Sequence, residues 1–189
     1  MANERAVGAI LVGAAALLLL LVQFLPWAVA EESGGGSSME ATAYLWEVEV
    51  EYDINLEGFG AGFSDSGKES QDWYDDDTDE ADGVGNVRAS IPMFLVGLVG
   101  AAVAVLLMFL LPARVGGVVA LACATVLVVA FILYTTGVNE VFDGDQDWHV
   151  SFFFGLAGII LLIIGGVVAL VGGAQRSARP PASRTGPNF

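Results

Sequence analysis

Hydrophobic and acidic residues alternate along the segment AYLWEVEVEYDINLE, which covers residues 43–57. Every second residue from Tyr44 to Leu56 is apolar, and from residue 47 onward the residues between them are acidic or amide. A period of two with aromatic and β-branched residues on one side predicts a half-buried β-strand. The polar face of this strand carries Glu47, Glu49, Glu51 and Asp53.

Four other segments are continuously apolar and contain no Asp, Glu, Lys or Arg. Each holds about 20 residues, which at 1.5 Å per residue matches a hydrocarbon core of about 30 Å. The sequence therefore predicts a membrane all-α four-helix bundle with a small extracellular antiparallel sheet formed mainly by the first outer loop. The predicted segments are an N-terminus with the first helix (residues 1–25), an outer loop (26–90), a second helix (91–111), a turn (112–114), a third helix (115–136), a second outer loop (137–150), a fourth helix (151–173) and a disordered basic tail (174–189).

Charge is segregated along the chain, which has a formal net charge of −15. The two predicted outer loops hold all the acidic residues except Glu4. Arg5, Arg114 and the arginines of the tail flank the opposite ends of the helices. The positive-inside rule then predicts a multi-pass protein of the plasma membrane with both termini in the cytoplasm.

An alternative concerns the first helix, because the sequence Ala28-Val29-Ala30 resembles a signal-peptidase site. Cleavage there would leave three spans and an external N-terminus. The apolar run is about 20 residues, longer than the 7 to 15 of a signal h-region, and its positive flank is short. These features favour an uncleaved first span.

The first outer loop is too long and too patterned to be a simple connection. Residues 32–38 (ESGGGSS) predict a flexible linker before the acidic strand, and residues 58–63 (GFGAGF) predict a turn into a returning strand. We expect a mobile polar excursion over residues 64–85, because this stretch is poor in β-branched residues. Residues 86–90 are a candidate last short strand, and residues 138–142 of the second outer loop are a candidate edge strand.

Two tryptophans mark the start of the first outer loop. Trp27 follows the first predicted helix in LPWAVAEE, and Leu45 and Trp46 follow in YLW, with 18 residues between the two tryptophans. Together with Arg88 ahead of the second helix, this pattern resembles the claudin superfamily, which includes peripheral-myelin-type and calcium-channel-γ-type four-span proteins. The resemblance implies a small sheet on the outer end of the bundle, with Trp27 and Trp46 as its structural anchors at the membrane interface.

The chain also departs from the claudin pattern. Tyr44 stands where the family has Gly, and Glu49 stands where it has the first of two Cys residues. The family disulfide is absent, since Cys123 in the third apolar run is the only cysteine. A single Lys among 22 carboxylates further suggests a prokaryotic, haloarchaeal-like member adapted to high salt.

No catalytic arrangement is evident in the sequence, so we expect no enzyme and no cofactor. His149 is the only histidine and no predicted span contains Asp, Glu, Lys, Arg or His, which argues against a metal-dependent hydrolase or an ion pump. Asp143, Asp145 and Asp147 have the alternate spacing of a calcium loop, but the segment lacks the Gly and Glu of an EF-hand. Weak association with Ca²⁺ or Mg²⁺ is the remaining metal hypothesis.

Two classes of function fit these observations. The first is a non-enzymatic adhesion or membrane-organising scaffold that contacts neighbouring proteins, or copies of itself, through the outer sheet. The second is an auxiliary subunit of a channel, transporter or other membrane complex. Both require lipid and protein partners, and neither involves nucleic acid or a small-molecule substrate.

Overall fold

The computed structural model of the chain describes residues 2–34, 37–55, 64–74 and 83–177. Four helices and five strands form this part of the protein. In chain order they are α1 (Ala2–Val22), β1 (Ala28–Gly34), β2 (Ser37–Ala43), β3 (Glu47–Asn55), β4 (Ser64–Asp72), α2 (Val84–Leu110), α3 (Ala113–Val141), β5 (Asp147–Trp148) and α4 (Val150–Ser177).

Three of the helices are long and apolar enough to cross a membrane, so the protein is membrane-embedded. They are the whole of α2, the whole of α3 and the Val150–Gly172 part of α4. The apolar part of α1, Ala6–Val22, is shorter. The predicted membrane helices and small antiparallel sheet are thus confirmed, whereas a fourth crossing by α1 stays a prediction.

Glycines allow the helices to approach closely. A Cβ atom on Gly117 of α3 would lie 2.8 Å from the carbonyl oxygen of Gly166 on α4. A Cβ atom on Gly165 would lie 2.8 Å from a methyl carbon of Val12 on α1. Apolar side chains gain little by leaving lipid for a helix interface, so close contact through small residues is what stabilises such a bundle.

A further close approach joins the start of α2 to the last turns of α3. Gly83, which precedes α2, has a φ of 89°, in the left-handed region that favours glycine. A Cβ atom at this position would lie 2.4 Å from the carbonyl oxygen of Gly137. Any larger residue at Gly83 would therefore strain the backbone and separate these two helix ends.

The strands form one antiparallel sheet in the order β4-β3-β2-β1-β5. The β2–β3 register places Val50 opposite Ala41 and Glu51 opposite Glu40. Alternation therefore gives the sheet two unlike faces. One face packs towards the helix ends through residues such as Val48, which is buried, and the other carries the carboxylates of β3.

The acidic strand forms over a shorter range than its alternation predicts. It begins at Glu47, because Tyr44, Leu45 and Trp46 make the connection from β2. The interpretation of residues 32–38 as a flexible linker is wrong, since residues 32–34 end β1 and residues 37 and 38 begin β2. The pairing of these two strands with each other, and of β2 with β3, supplies order that their own sequences do not indicate.

Other local predictions need correction. Ser64–Asp72, part of the expected mobile excursion, pairs with β3 as β4, while the predicted turn and return over residues 58–63 lie outside the described residues. Residues 86–90 are helical, so α2 begins before the predicted position 91. Residues 138–141 are also helical, and the edge strand of the second loop is Asp147–Trp148 instead.

The close approach of α3 and α4 generates a prediction. Gly117→Ala should lower stability by about 1 to 3 kcal/mol, because the new methyl group has no room against the Gly166 carbonyl. Gly13→Ala in α1 is the matched control, since a Cβ atom there meets nothing within 4 Å. Unfolding midpoints in a detergent titration would measure both, and equal midpoints for the two variants would contradict the packing.

Candidate functional site

Trp27 lies where the chain leaves α1 and enters the sheet. Its side chain is 1% exposed and its indole N–H donates a hydrogen bond of 2.7 Å to the carbonyl of Val22 at the end of α1. Its ring packs edge-on against Phe94 of α2 and Tyr134 of α3, with centroid distances of 5.4 and 5.0 Å. Trp27 is therefore buried at the end of the bundle, between α1, α2 and α3.

The backbone around Trp27 belongs to the sheet and to the start of α4. Its N–H donates to the carbonyl of Ala43 at 2.8 Å, and its carbonyl accepts from the N–H of His149 at 2.9 Å. The Ser151 hydroxyl donates to the carbonyl of Pro26, and it also lies 3.2 Å from Nδ1 of His149. His149 and Ser151 thus fasten the first residues of α4 to the exit of α1.

The connection between β2 and β3 is held in place by two side chains that donate hydrogen bonds to one of its backbone carbonyls. The carbonyl of Tyr44 accepts two hydrogen bonds of 3.0 Å, one from the indole N–H of Trp73 and one from the hydroxyl of Tyr134. Leu45 is fully buried, whereas Trp46 is only partly buried against the core. The Leu45–Trp46 pair therefore lies on the inner side of the sheet, with Leu45 the deeper of the two.

Arg88 fixes the chain after β4 onto the first turns of α2. Its Nε donates to the carbonyl of Trp73, and its guanidinium lies 5.8 Å from the ring centre of Tyr74. The Tyr74 hydroxyl in turn donates to the carbonyl of Arg88 at 3.0 Å. Pro92 has no N–H to offer that carbonyl in the helix, so the tyrosine replaces the missing helical hydrogen bond.

The outer face of the sheet carries carboxylates that face one another across the strands. Glu40 of β2 is directly opposite Glu31 of β1 on one side and Glu51 of β3 on the other. Glu51 is opposite Lys68 of β4. Like charges in directly opposed positions, with Cβ atoms about 5 Å apart, destabilise an antiparallel sheet.

Lys68 provides the one ion pair found among the described residues of this face. Its Nζ lies 2.7 Å from a carboxylate oxygen of Glu49, and this hydrogen bond raises the pKa of Lys68. The Tyr44 hydroxyl donates to the other oxygen of Glu49 at 3.4 Å. Partial burial, followed by the charge of Glu49, raises the pKa of Tyr44, so at neutral pH the phenol stays protonated and the lysine stays charged.

The ladder of Glu47, Glu49, Glu51 and Asp53 follows the predicted alternation. Glu47, Glu51 and Asp53 are exposed, and Glu49 is half-buried beside Lys68. Glu47 also has Asp72 directly opposite it on β4. The face is thus strongly anionic along β3 and across β1, β2 and β3.

The candidate metal ligands of the second loop do not converge. Asp143 and Asp145 lie in the turn after α3, whereas Asp147 is in β5 opposite Val29. Across residues 2–34, 37–55, 64–74 and 83–177, no group of three or more His, Cys, Asp or Glu side chains is arranged to hold a metal ion. The three aspartates therefore do not form one coordination site.

Sequence reasoning missed Trp73, which is 1% exposed and bonded to the β2–β3 connection. It also missed Tyr134, which is fully buried beside Trp27. A tryptophan in an otherwise polar stretch, DWYDDD, was the available indication, because a large aromatic residue is seldom left in water when a core is near.

The opposed carboxylates generate a prediction about salt. Glu40→Gln should protect the sheet from proteolysis in dilute buffer, because it removes two like-charge contacts worth about 0.2 to 1 kcal/mol each. The benefit should disappear in 1 M KCl, where the screening length falls to about 3 Å. Asp65→Asn is the matched control, since Asp65 is opposite Ile54 and has no like charge facing it.

Limited proteolysis across a KCl series, with a parallel series of millimolar CaCl₂ at low KCl, provides the measurement. Resistance of the wild-type chain that does not change with salt would contradict the prediction. Protection by calcium at concentrations too low to screen charge would instead support the hypothesis of weak divalent binding.

No protein-family model matches the chain, and no curated protein matches it significantly.

Proposed function

We propose that the chain is a non-enzymatic, claudin-like four-span protein that acts as a cell-surface scaffold through its sheet. The observation that carries this proposal is the set of hydrogen bonds and buried contacts that attaches the sheet to the helix ends. Trp27 joins the sheet to α1, the Tyr44 carbonyl joins it to α3, and Arg88 joins it to α2. The carboxylate face of the sheet points away from the helices. A platform of this kind presents a fixed surface to other proteins.

The order of elements supports the resemblance to claudins. Among the described residues, four strands lie between α1 and α2, and a fifth lies between α3 and α4 and joins the same sheet. The residues quoted for the resemblance occupy the attachment: Trp27 in the core, Leu45 and Trp46 in the β2–β3 connection, and Arg88 against Trp73. Where the family has its first Cys, Glu49 makes the ion pair that joins β3 to β4.

The proposed orientation places the sheet outside the cell and both termini in the cytoplasm. It rests on the basic residues at the opposite ends of the helices and on the acidic sheet. In this orientation α1 is the first of four spans in the plasma membrane, and the mature chain retains it.

Cysteine labelling tests the orientation. In a Cys123→Ala background, an impermeant thiol reagent should modify Ser66→Cys on β4 in intact cells, and it should modify Ser183→Cys in the tail only after lysis. Labelling of Ser183→Cys in intact cells would overturn the four-span orientation. A mature protein beginning at Glu31 would show that the first helix is a cleaved signal.

The charge of the outer face constrains the partner. Two copies of this face cannot meet directly without placing rows of glutamates against one another, which is unfavourable unless salt screens them. A partner with basic residues fits better, and self-association would have to use another part of the sheet. The proposal therefore favours a protein partner that presents Lys or Arg to Glu40 and Glu51.

Co-purification tests the scaffold proposal. Two differently tagged copies of the full chain would be expressed together, cross-linked in intact cells and purified through one tag, and every captured protein would be identified by mass spectrometry. The proposal predicts recovery of the second copy or of other surface proteins. Glu40→Lys with Glu51→Lys should reduce capture of the other surface proteins at least severalfold, and the control Asp65→Lys should not.

Capture of one larger channel, transporter or enzyme in fixed proportion, with no second copy, would support the auxiliary-subunit alternative. If neither the double variant nor the Asp65→Lys control changes the amount of captured protein, a role for the outer face is contradicted.

A further inference from the structure

A cleft of about 590 Å³ lies between the inner face of the sheet and the ends of α2 and α3. Its apolar lining includes Val48 and Val50 of β3, Val84 at the start of α2, and Val141 and Phe142 at the end of α3. The buried indole of Trp73 also lines it. The volume is within the range of small-molecule pockets, which are mostly apolar and carry a few placed polar groups.

The charged groups of the cleft are all negative. Glu32 of β1 and Asp143 and Asp145 of the turn after α3 border it, and all three side chains are exposed. Glu31 also borders the cleft, but strand alternation directs its side chain to the outer face, where it is opposite Glu40. No Lys, Arg or His is among the described residues that line it. Apolar walls with a rim of carboxylates therefore make this cleft different from the polar outer face of the same sheet.

The turn after α3 holds its two aspartates in defined positions. Asp143 has a φ of 50° and Gly144 a φ of 83°, which reverses the chain at the end of the helix. The N–H of Gly144 donates to the carbonyl of Asn139 at 2.9 Å, and the N–H of Asp145 donates to the carbonyl of Phe142 at 3.0 Å. The carboxylates are thus carried by a hydrogen-bonded turn beside the apolar wall that Phe142 contributes.

We propose that this cleft binds a small organic cation with an apolar body, such as an arylalkyl ammonium ion. The apolar body would replace water against the valines and Phe142, and the ammonium group would remain at the rim beside the carboxylates. A bare metal cation fits less well, because in the part of the chain that the structure describes no three acidic side chains are arranged to hold a metal ion. An anion is disfavoured by the three carboxylates of Glu32, Asp143 and Asp145. This inference is independent of the scaffold proposal.

Binding should be measured on the full chain in nanodiscs of zwitterionic lipid, with empty nanodiscs as the blank. Saturation-transfer NMR titrations would compare phenethylammonium with neutral 2-phenylethanol and anionic 3-phenylpropionate. Phenethylammonium should bind about tenfold more tightly than the alcohol, and the anion should show no binding. Affinity for the cation should fall as KCl is raised, because salt screens the exposed carboxylates.

Two double variants separate the cleft from the general acidity of the sheet. Glu32→Gln with Asp145→Asn removes two rim charges and should weaken binding about fivefold or more, the effect of two exposed ion pairs. Glu40→Gln with Glu51→Gln removes two charges from the outer face, and neither residue lines the cleft. This control should change affinity by less than about twofold at 0.1 M salt.

A third variant tests the apolar walls. Ala41→Phe places a large ring in the cleft from β2 and should abolish binding while the charges remain. Equal weakening by both double variants would overturn the proposal, and so would equal affinity for phenethylammonium and 2-phenylethanol. Binding of a lysine-rich octapeptide without binding of phenethylammonium would also overturn it, since the surface would then be a protein-docking site.

Discussion

The burial of Trp27 is the constraint on which the rest of the structure depends. Its indole ring belongs to the helix bundle, where it contacts α2 and α3 and caps the end of α1. Its backbone belongs to the sheet, through Ala43 on one side and His149 on the other. A single residue therefore fixes the position of the sheet relative to the helices, and the remaining contacts refine it.

Because its inner face is packed against the helix ends, the sheet tolerates repulsion between the like charges on its outer face. Opposed glutamates weaken strand pairing, and the Lys68–Glu49 ion pair is too exposed to offset much of that repulsion. The opposing stabilisation comes from the inner side, where Leu45, Trp73 and Val48 are buried. Dense negative charge can therefore be displayed by strands that would be unstable alone.

The elements that could be predicted from sequence are those whose signal lies in consecutive residues. Apolar runs and the alternation of β3 are properties of consecutive residues, so α2, α3, α4 and the two faces of β3 were found. The strand Ser64–Asp72 has no apolar side chain, and its order comes from pairing with β3. The extension of α2 before Ile91 was also missed, because its first turns precede the apolar run in the sequence. These turns are ordered by packing against the end of α3. The buried positions of Trp73 and Tyr134 depend on contacts between distant segments, which one sequence does not reveal.

The contacts that α1 and its exit make with α4 affect the order in which the protein folds during synthesis. The Pro26 carbonyl and its donor Ser151 are 125 residues apart, and α1 packs mainly against α4, which is synthesised after α2 and α3. At ribosomal rates of about 5 to 20 residues per second, α1 must wait roughly 6 to 25 s for these partners. During that interval the exit of α1 has unpaired backbone groups and an incomplete helix interface. A membrane chaperone or protease could use those features to distinguish an unfinished chain from a complete one.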